Sequence, residues 1–194
     1  MRRLAQVWLA LALVALAAAA LPAAAQNPSG PQVRSDTGKS DWERALQERD
    51  FKEVEVKLPA PPKAAKLIEF FPSAASSFRF FVDADSLSVG ADGVVRYTLV
   101  ARSSSGHDNV TYEGMRCKAS SVRVYAYSNA GVWSPAQGDW KPIEARSVQR
   151  WHNELRSRYF CPVGVPIHGA AEGLNALRRG GHPHASGSSN PQRF

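Results

Sequence analysis

The run VVRYTLVARSSSGHDNVTYEGMRC, Val94 to Cys117, constrains the fold of this chain more than any other stretch. Val95, Tyr97, Leu99 and Ala101 fall on one side of an extended backbone and Arg96, Thr98, Val100 and Arg102 on the other, the period-two pattern of a strand with one face in a core. SSSGHDN then supplies the Gly, Asp and Asn that a tight reversal needs, and NVTYEGMRC resumes the alternation. The pattern predicts a long β-hairpin that stops at Cys117. The only other cysteine, Cys161, follows 44 residues later at the end of a stretch with helical period.

Whether those two cysteines pair depends on compartment. The chain opens MRRLAQVWLALALVALAAAALPAAAQ, with Arg2 and Arg3 ahead of an apolar run from Leu4 to Leu21 and Ala23-Ala24-Ala25 before Gln26. This predicts a secretory signal peptide over residues 1–25; the rival is a retained anchor helix, against which the small-residue cleavage site stands. Periplasmic localisation is expected, without lipidation because no cysteine follows Ala25, and with no transmembrane segment after cleavage. Cysteines exported to an oxidising compartment pair, so a Cys117–Cys161 disulfide is expected, with two buried free thiols or a catalytic dithiol as the alternatives. Closing a loop of this length contributes roughly 3–5 kcal/mol.

Removing Arg2 and Arg3 from the 24 basic residues leaves 22 against 17 acidic ones, a net charge of +5 after cleavage. Charge of that size suits an anionic surface or an acidic polymer without selecting either. No basic patch is interleaved with aromatics, and nucleic acid is set aside.

Residues 26–39 read as a flexible linker. Ser40 and Glu43 form a capping box for a short N-terminal helix ending near Asp50, and Phe51–Leu58 reads as a half-buried strand. LIEFFP, FRFFVD and SLSVG follow as short strands, with Ala91-Asp92-Gly93 turning into the central hairpin, and SVRVYAYS continues the meander after Cys117. Trp133 and Trp140 lie in an irregular connection. From Glu144 to Tyr159 the period is helical, with Val148, Trp151, Leu155 and Tyr159 on one face. The predicted architecture is a single α+β domain over residues 40–167. It comprises a curled or barrel-like antiparallel sheet of about six to seven strands, a short N-terminal helix, an amphipathic C-terminal helix and one disulfide. Residues 168–194, rich in Gly, Ser, His and Arg, read as a disordered tail with at most a brief helical turn at GLNALRR.

Few residues suggest chemistry. His107, Asp108 and Asn109 fit the hairpin turn better than a metal site, since no second cluster completes a ligand set. His152 borders the apolar stripe of the C-terminal helix beside Trp151, with Glu154 nearby, and His182 and His184 flank Pro183 in a segment too flexible to make a good metal site. The sequence contains no G-x-S-x-G, S-x-x-K, H-E-x-x-H, G-x-G-x-x-G or P-loop motif. No catalytic residue, cofactor or metal is expected. Arg96, Glu113 and Arg116 form the candidate binding surface, either as a solvated ladder of charge pairs or as a ligand groove beside the disulfide. Gly114 favours the groove, because an in-strand glycine marks a bulge or a close approach.

FRFFVDADSLSVGADGVVRYTLVARSSSGHDNVTYEGMRC, then VYAY, Trp133, Trp140 and YFCP, resembles the CNP1-like family of proteobacterial envelope proteins from about Phe51 to Ile167. The specific parts are D-x-x-S-L, R-Y, Y-E-G-x-x-C and F-C-P. The resemblance implies an exported domain, lipidated in some members, a point on which this chain departs, and it brings no catalytic residues. The expected function is a periplasmic, non-enzymatic binding or envelope-maintenance protein whose partner is an envelope protein or acidic polymer. The alternative is a small-ligand carrier or an enzyme acting on an envelope component, with Glu113 as acid or base and the arginines holding an anion. Geometry separates the two: a carrier or enzyme needs a concave pocket with Glu113 partly buried and its pKa shifted, a binding module an open face with these charges in solvent.

Overall fold

The alternation of the central hairpin becomes the middle of an antiparallel sheet in a computed structural model of the chain, which describes residues 51–72, 76–144 and 150–185. The expected signal peptide, linker and N-terminal helix lie outside the described residues, all of which fall within the unit Ser35–Phe194. The strands are β1 (Leu67–Phe70), β2 (Arg79–Asp83), β3 (Ser88–Val89), β4 (Val94–Arg102), β5 (Asp108–Arg116), β6 (Ser121–Asn129), β7 (Val132–Pro135) and β8 (Lys141–Pro142). Their order is β1-β2-β4-β5-β6-β7, with β3 beside the start of β4 and β8 beside the start of β6. The sheet therefore has eight strands and stays open, where six or seven and a barrel-like curl are expected. β3 falls within the predicted SLSVG strand, whereas β7 and β8, four and two residues long, lie in the stretch read as an irregular connection, too short for alternation to show them.

Register decides which residues meet. Val95 lies opposite Met115, Tyr97 opposite Glu113 and Leu99 opposite Thr111 on one face; Arg96 lies opposite Gly114, Thr98 opposite Tyr112 and Arg102 opposite Asp108 on the other. Every residue from Val94 to Val100 is buried, so both faces are covered and not one as the alternation suggests.

The first face carries the main core. Phe80, Val82, Tyr97, Leu99 and Met115 pack against Leu155, Tyr159, Phe160, Ile167 and Leu177. The covering layer begins with α1 (Arg150–Glu154), whose expected upstream residues 145–149 lie outside the description, and runs on as a π-helical segment, Leu155–Phe160. The wider π turn holds one extra residue, and Leu155, Tyr159 and Phe160 are all buried there. Cys161 follows directly and forms the disulfide with Cys117 at the end of β5, Cα to Cα 5.4 Å. Where a disordered tail is expected from His168, the chain instead forms a ten-residue helix, α2 (Ala170–Arg179), with Ala176 and Leu177 in the core. Gly180, at φ 73°, ends it in the left-handed conformation. Its brevity and a central glycine disguise it in the sequence; a Cβ at Gly173 would come within 2.6 Å of Ile167 and 2.8 Å of Leu87, so the glycine permits close packing.

The second face is covered by residues 51–62, an extended strap and not the strand that its alternation predicts. Its partners are side chains. Phe51 lies 3.7 Å beneath the Arg116 guanidinium, and Glu53 accepts hydrogen bonds from the Tyr125 hydroxyl (2.5 Å) and Arg123 (2.9 Å). Val56 packs on Tyr112 and Tyr125, and the Trp133 indole donates to the Pro59 carbonyl at 2.8 Å. Residues 51–58 are held by these side-chain contacts and not by a backbone ladder, and Pro59, Pro61 and Pro62, which lack the N–H groups a ladder needs, follow them.

Candidate functional site

Period-two geometry divides the three residues of the expected binding surface. Glu113 shares its face with Thr111 and Met115, toward the helices, whereas Arg96 and Arg116 project beneath the strap. They do not form one surface. Arg96 makes a double hydrogen bond to Asp92 (2.6 and 3.0 Å), lies 3.7 Å from Glu53 and stacks over the Tyr125 ring. Arg116 is held between Phe51 and Trp140. At 5% and 7% exposure, both arginines fasten the strap to the sheet and are not solvated charges awaiting a partner.

Glu113 has a different role. Its Oε1 accepts a hydrogen bond from the Thr111 hydroxyl at 2.7 Å, and its Oε2 meets His152 Nε2 of α1 at 2.9 Å. Side-chain exposures of 3% and 7% make this a buried pair joining sheet to helix. Burial works to raise the Glu113 pKa, but the charge and hydrogen bond of His152, with the Thr111 hydroxyl, outweigh it and hold the carboxyl below its ordinary value. Tyr97, directly across the register, is fully enclosed; burial first and the Glu113 charge second push its phenol well up. The Trp151 indole nitrogen stands 3.2 Å from the same His152 Nε2. One nitrogen cannot donate to a carboxylate and accept from an indole at once, so the Trp151 contact is a hydrogen bond only when Nε2 carries no proton.

Above this pair lies a concave pocket of about 530 Å³, within the range of small-molecule sites. Its walls include Phe80, Leu99, Ala101, Val122, Ile143 and Trp151, with Thr111, Glu113 and His152 as its inner polar groups and Asp139, Lys141 and Glu144 among the exposed ones. Trp151 stacks on Phe80 at 5.0 Å, which fixes the ring beside His152. A bulge in the β5–β6 pairing falls between Tyr112 and Glu113, adjoining the site, and Tyr125 is the extra residue. Its ring turns to the strap side over Gly114, where a Cβ would come within 2.8 Å of the ring carbons. The glycine thus marks a close approach, as the sequence suggests, but by the protein's own tyrosine.

The remaining sequence candidates have structural places. Asp108 pairs with Arg102 at 2.7 Å, and His107 sits exposed in the turn, its N–H bonded to the Ser103 hydroxyl. Among the described residues no group of three or more His, Cys, Asp or Glu side chains is arranged to hold a metal. His182, 4% exposed, belongs to no flexible tail: it contacts Glu172 of α2 at 2.8 Å, as does the His168 ring. Partial burial would raise the Glu172 pKa, but the His168 backbone N–H and the two rings pull it down to about 2. Sequence reasoning passed over His152 as a boundary residue. The signal was available: Glu113 falls on the apolar face of its strand, and an acid on that face needs a buried partner.

The motifs behind the family resemblance resolve into these contacts. In D-x-x-S-L, the Ser86 hydroxyl donates to the Asp83 carbonyl (2.9 Å) and accepts from Thr98 N–H (2.8 Å), and Leu87 packs toward Gly173. That serves the β4 backbone where β2 has ended and β3 not begun. Y-E-G-x-x-C supplies Tyr112 under the strap, Glu113 in the pair, Gly114 against Tyr125 and Cys117 in the disulfide. No solved structure matches the chain. It is 30% identical over 138 residues, 61% of its own length and 67% of the other's, to Cryptic neisserial protein 1 of Neisseria gonorrhoeae (strain ATCC 700825 / FA 1090). With the profile of the CNP1-like family matched across residues 46–178, from the strap through α2, the chain belongs to the CNP1-like family.

Proposed function

We propose that this chain is an exported periplasmic protein that binds a small, largely apolar ligand in the pocket above Glu113 and His152, without catalysing a reaction on it. The observation that carries this reading is the pocket itself: about 530 Å³, walled by apolar and aromatic side chains, with one buried carboxylate–imidazole pair in it. Binding is favoured over chemistry because the pair is spent on its own contacts. Thr111 donates to Glu113 and not to His152, so among the described residues no hydroxyl is set up as a nucleophile by the imidazole, and both cysteines are in the disulfide. A docking surface on Arg96 and Arg116 loses its support, since both are enclosed by the strap. Export rests on the signal-peptide pattern of residues 1–25 and fits the disulfide. No helix among the described residues is long and apolar enough to cross a membrane.

The test uses the neutral fluorescent probe N-phenyl-1-naphthylamine. The purified chain is expected to enhance its emission saturably. Ala101→Trp, which fills the pocket, should abolish that enhancement, while Phe71→Ala, at a surface ring 72% exposed, should not. Enhancement lost with Phe71→Ala and kept with Ala101→Trp would place the probe on the surface and remove the reading. Cell fractionation with N-terminal sequencing tests export, the expected mature start being Gln26.

A further inference from the structure

We infer that the ligand of this pocket is a small organic cation with an apolar body, an alkyl- or arylammonium in preference to an anion or a neutral lipid-like molecule. The inference rests on the pocket being a ligand site, as proposed above. Its basis is a contrast in charge: the chain is basic, with a net charge of +5 once residues 1–25 are removed, whereas the mouth of the pocket carries two carboxylates against one lysine. Among the described residues that line it, the exposed Asp139 and Glu144 face one lysine, Lys141, while Glu113 deeper in is paired with His152. An excess of one sign of charge at the mouth of a low-dielectric cavity attracts the opposite sign.

The mouth has the second component of ammonium recognition. Asp139, Lys141 and Glu144 are exposed, so they ring the entrance, and two aromatic side chains that line the pocket are also open to solvent, Phe78 at 39% and Tyr127 at 54%. Aromatic faces beside carboxylates hold a cation through ring quadrupole and charge together, and quaternary ammonium groups in particular because they are weakly hydrated. The interior beyond, between Leu99, Val122 and Ile143, takes an apolar body. An anion would meet Asp139 and Glu144 at the mouth. A neutral chain would gain the apolar walls alone.

Three ten-carbon amphiphiles, each used below its micelle concentration, separate the cases by displacement of N-phenyl-1-naphthylamine from the purified chain. Decyltrimethylammonium is expected to displace the probe at about tenfold lower concentration than 1-decanol or decanoate. Its advantage should shrink with added salt and in the double variant Asp139→Asn/Glu144→Gln, whose side chains are exposed. If 1-decanol or decanoate displaces as well as the cation, and Ala101→Trp still blocks displacement, the ligand site stands and the cation assignment is overturned. If none of the three displaces the probe, or displacement survives Ala101→Trp, the ligand-site reading fails and this inference with it.

Discussion

Glu113 of β5 and His152 of α1 meet at 2.9 Å, 39 residues apart in sequence, and are the buried polar joint between the sheet and its helical layer. Around that joint the structure divides its charges by face: one acid toward the helices and the pocket, the arginines toward the strap. Each half makes separate predictions.

The joint should make stability depend on acid pH. Glu113 is held below its ordinary value in the folded chain, so its contribution is fully present above the unfolded carboxylate pKa, about 4.3, and is lost as pH falls through the lower folded pKa. Urea unfolding between pH 7 and pH 3 should show this loss, and Glu113→Gln should flatten that part of the profile. His152→Ala strands the carboxylate and should cost about 3–5 kcal/mol at pH 7. An unchanged pH profile in Glu113→Gln would contradict the assignment.

Arg96 should matter to stability and not to binding. Arg96→Ala leaves the Asp92 carboxylate, 1% exposed, without its guanidinium, a loss of about 3–5 kcal/mol in denaturant unfolding. The folded fraction should still bind the naphthylamine probe with wild-type affinity. The strap should also become a site of early cleavage in limited proteolysis, between residues 51 and 62.

The disulfide should be worth about 3–5 kcal/mol. Cys117→Ser and Cys161→Ser should each lower the denaturant midpoint by similar amounts, and the double variant should lie close to either single one, because one bond is lost in all three. A variant with an unchanged midpoint would remove the disulfide from the account of stability.

Ser86→Ala should cost about 1–3 kcal/mol, because Thr98 N–H would lose its acceptor in a buried position. Gly114→Ala should cost about 1–3 kcal/mol by driving the Tyr125 ring off the strand and loosening its bond to Glu53. Both are read from thermal and urea unfolding, with circular dichroism to confirm the fold.

The parts legible in the sequence are those with a period long enough to see. The nine-residue strands β4, β5 and β6 stand where the alternation places them, and the cysteine pair follows from their ends. β7 and β8, four and two residues long, are fixed by tertiary pairing and leave no pattern, and α2 is stabilised by packing around Gly173 that no local propensity reveals. The strap imitates a strand because Phe51, Glu53 and Val56 address a sheet face without joining its ladder. For the site, the sequence was more informative than the grouping of Arg96, Glu113 and Arg116 allowed. Period two alone puts Glu113 and Arg116 on opposite faces, and the register then sets Glu113 across from Tyr97. What sequence could not supply was the pocket, which depends on where β8, Ile143 and Trp151 come together.

The most direct test of the central claim is a methyl and indole NMR titration of the labelled chain with decyltrimethylammonium. The account predicts saturable shifts of the Trp151 indole N–H and of the Leu99, Val122 and Ile143 methyls, with Val132 and Val163, both exposed and outside the pocket lining, unmoved. Shifts confined to Val132, Val163 and other exposed apolar residues, with Trp151 silent, would contradict it.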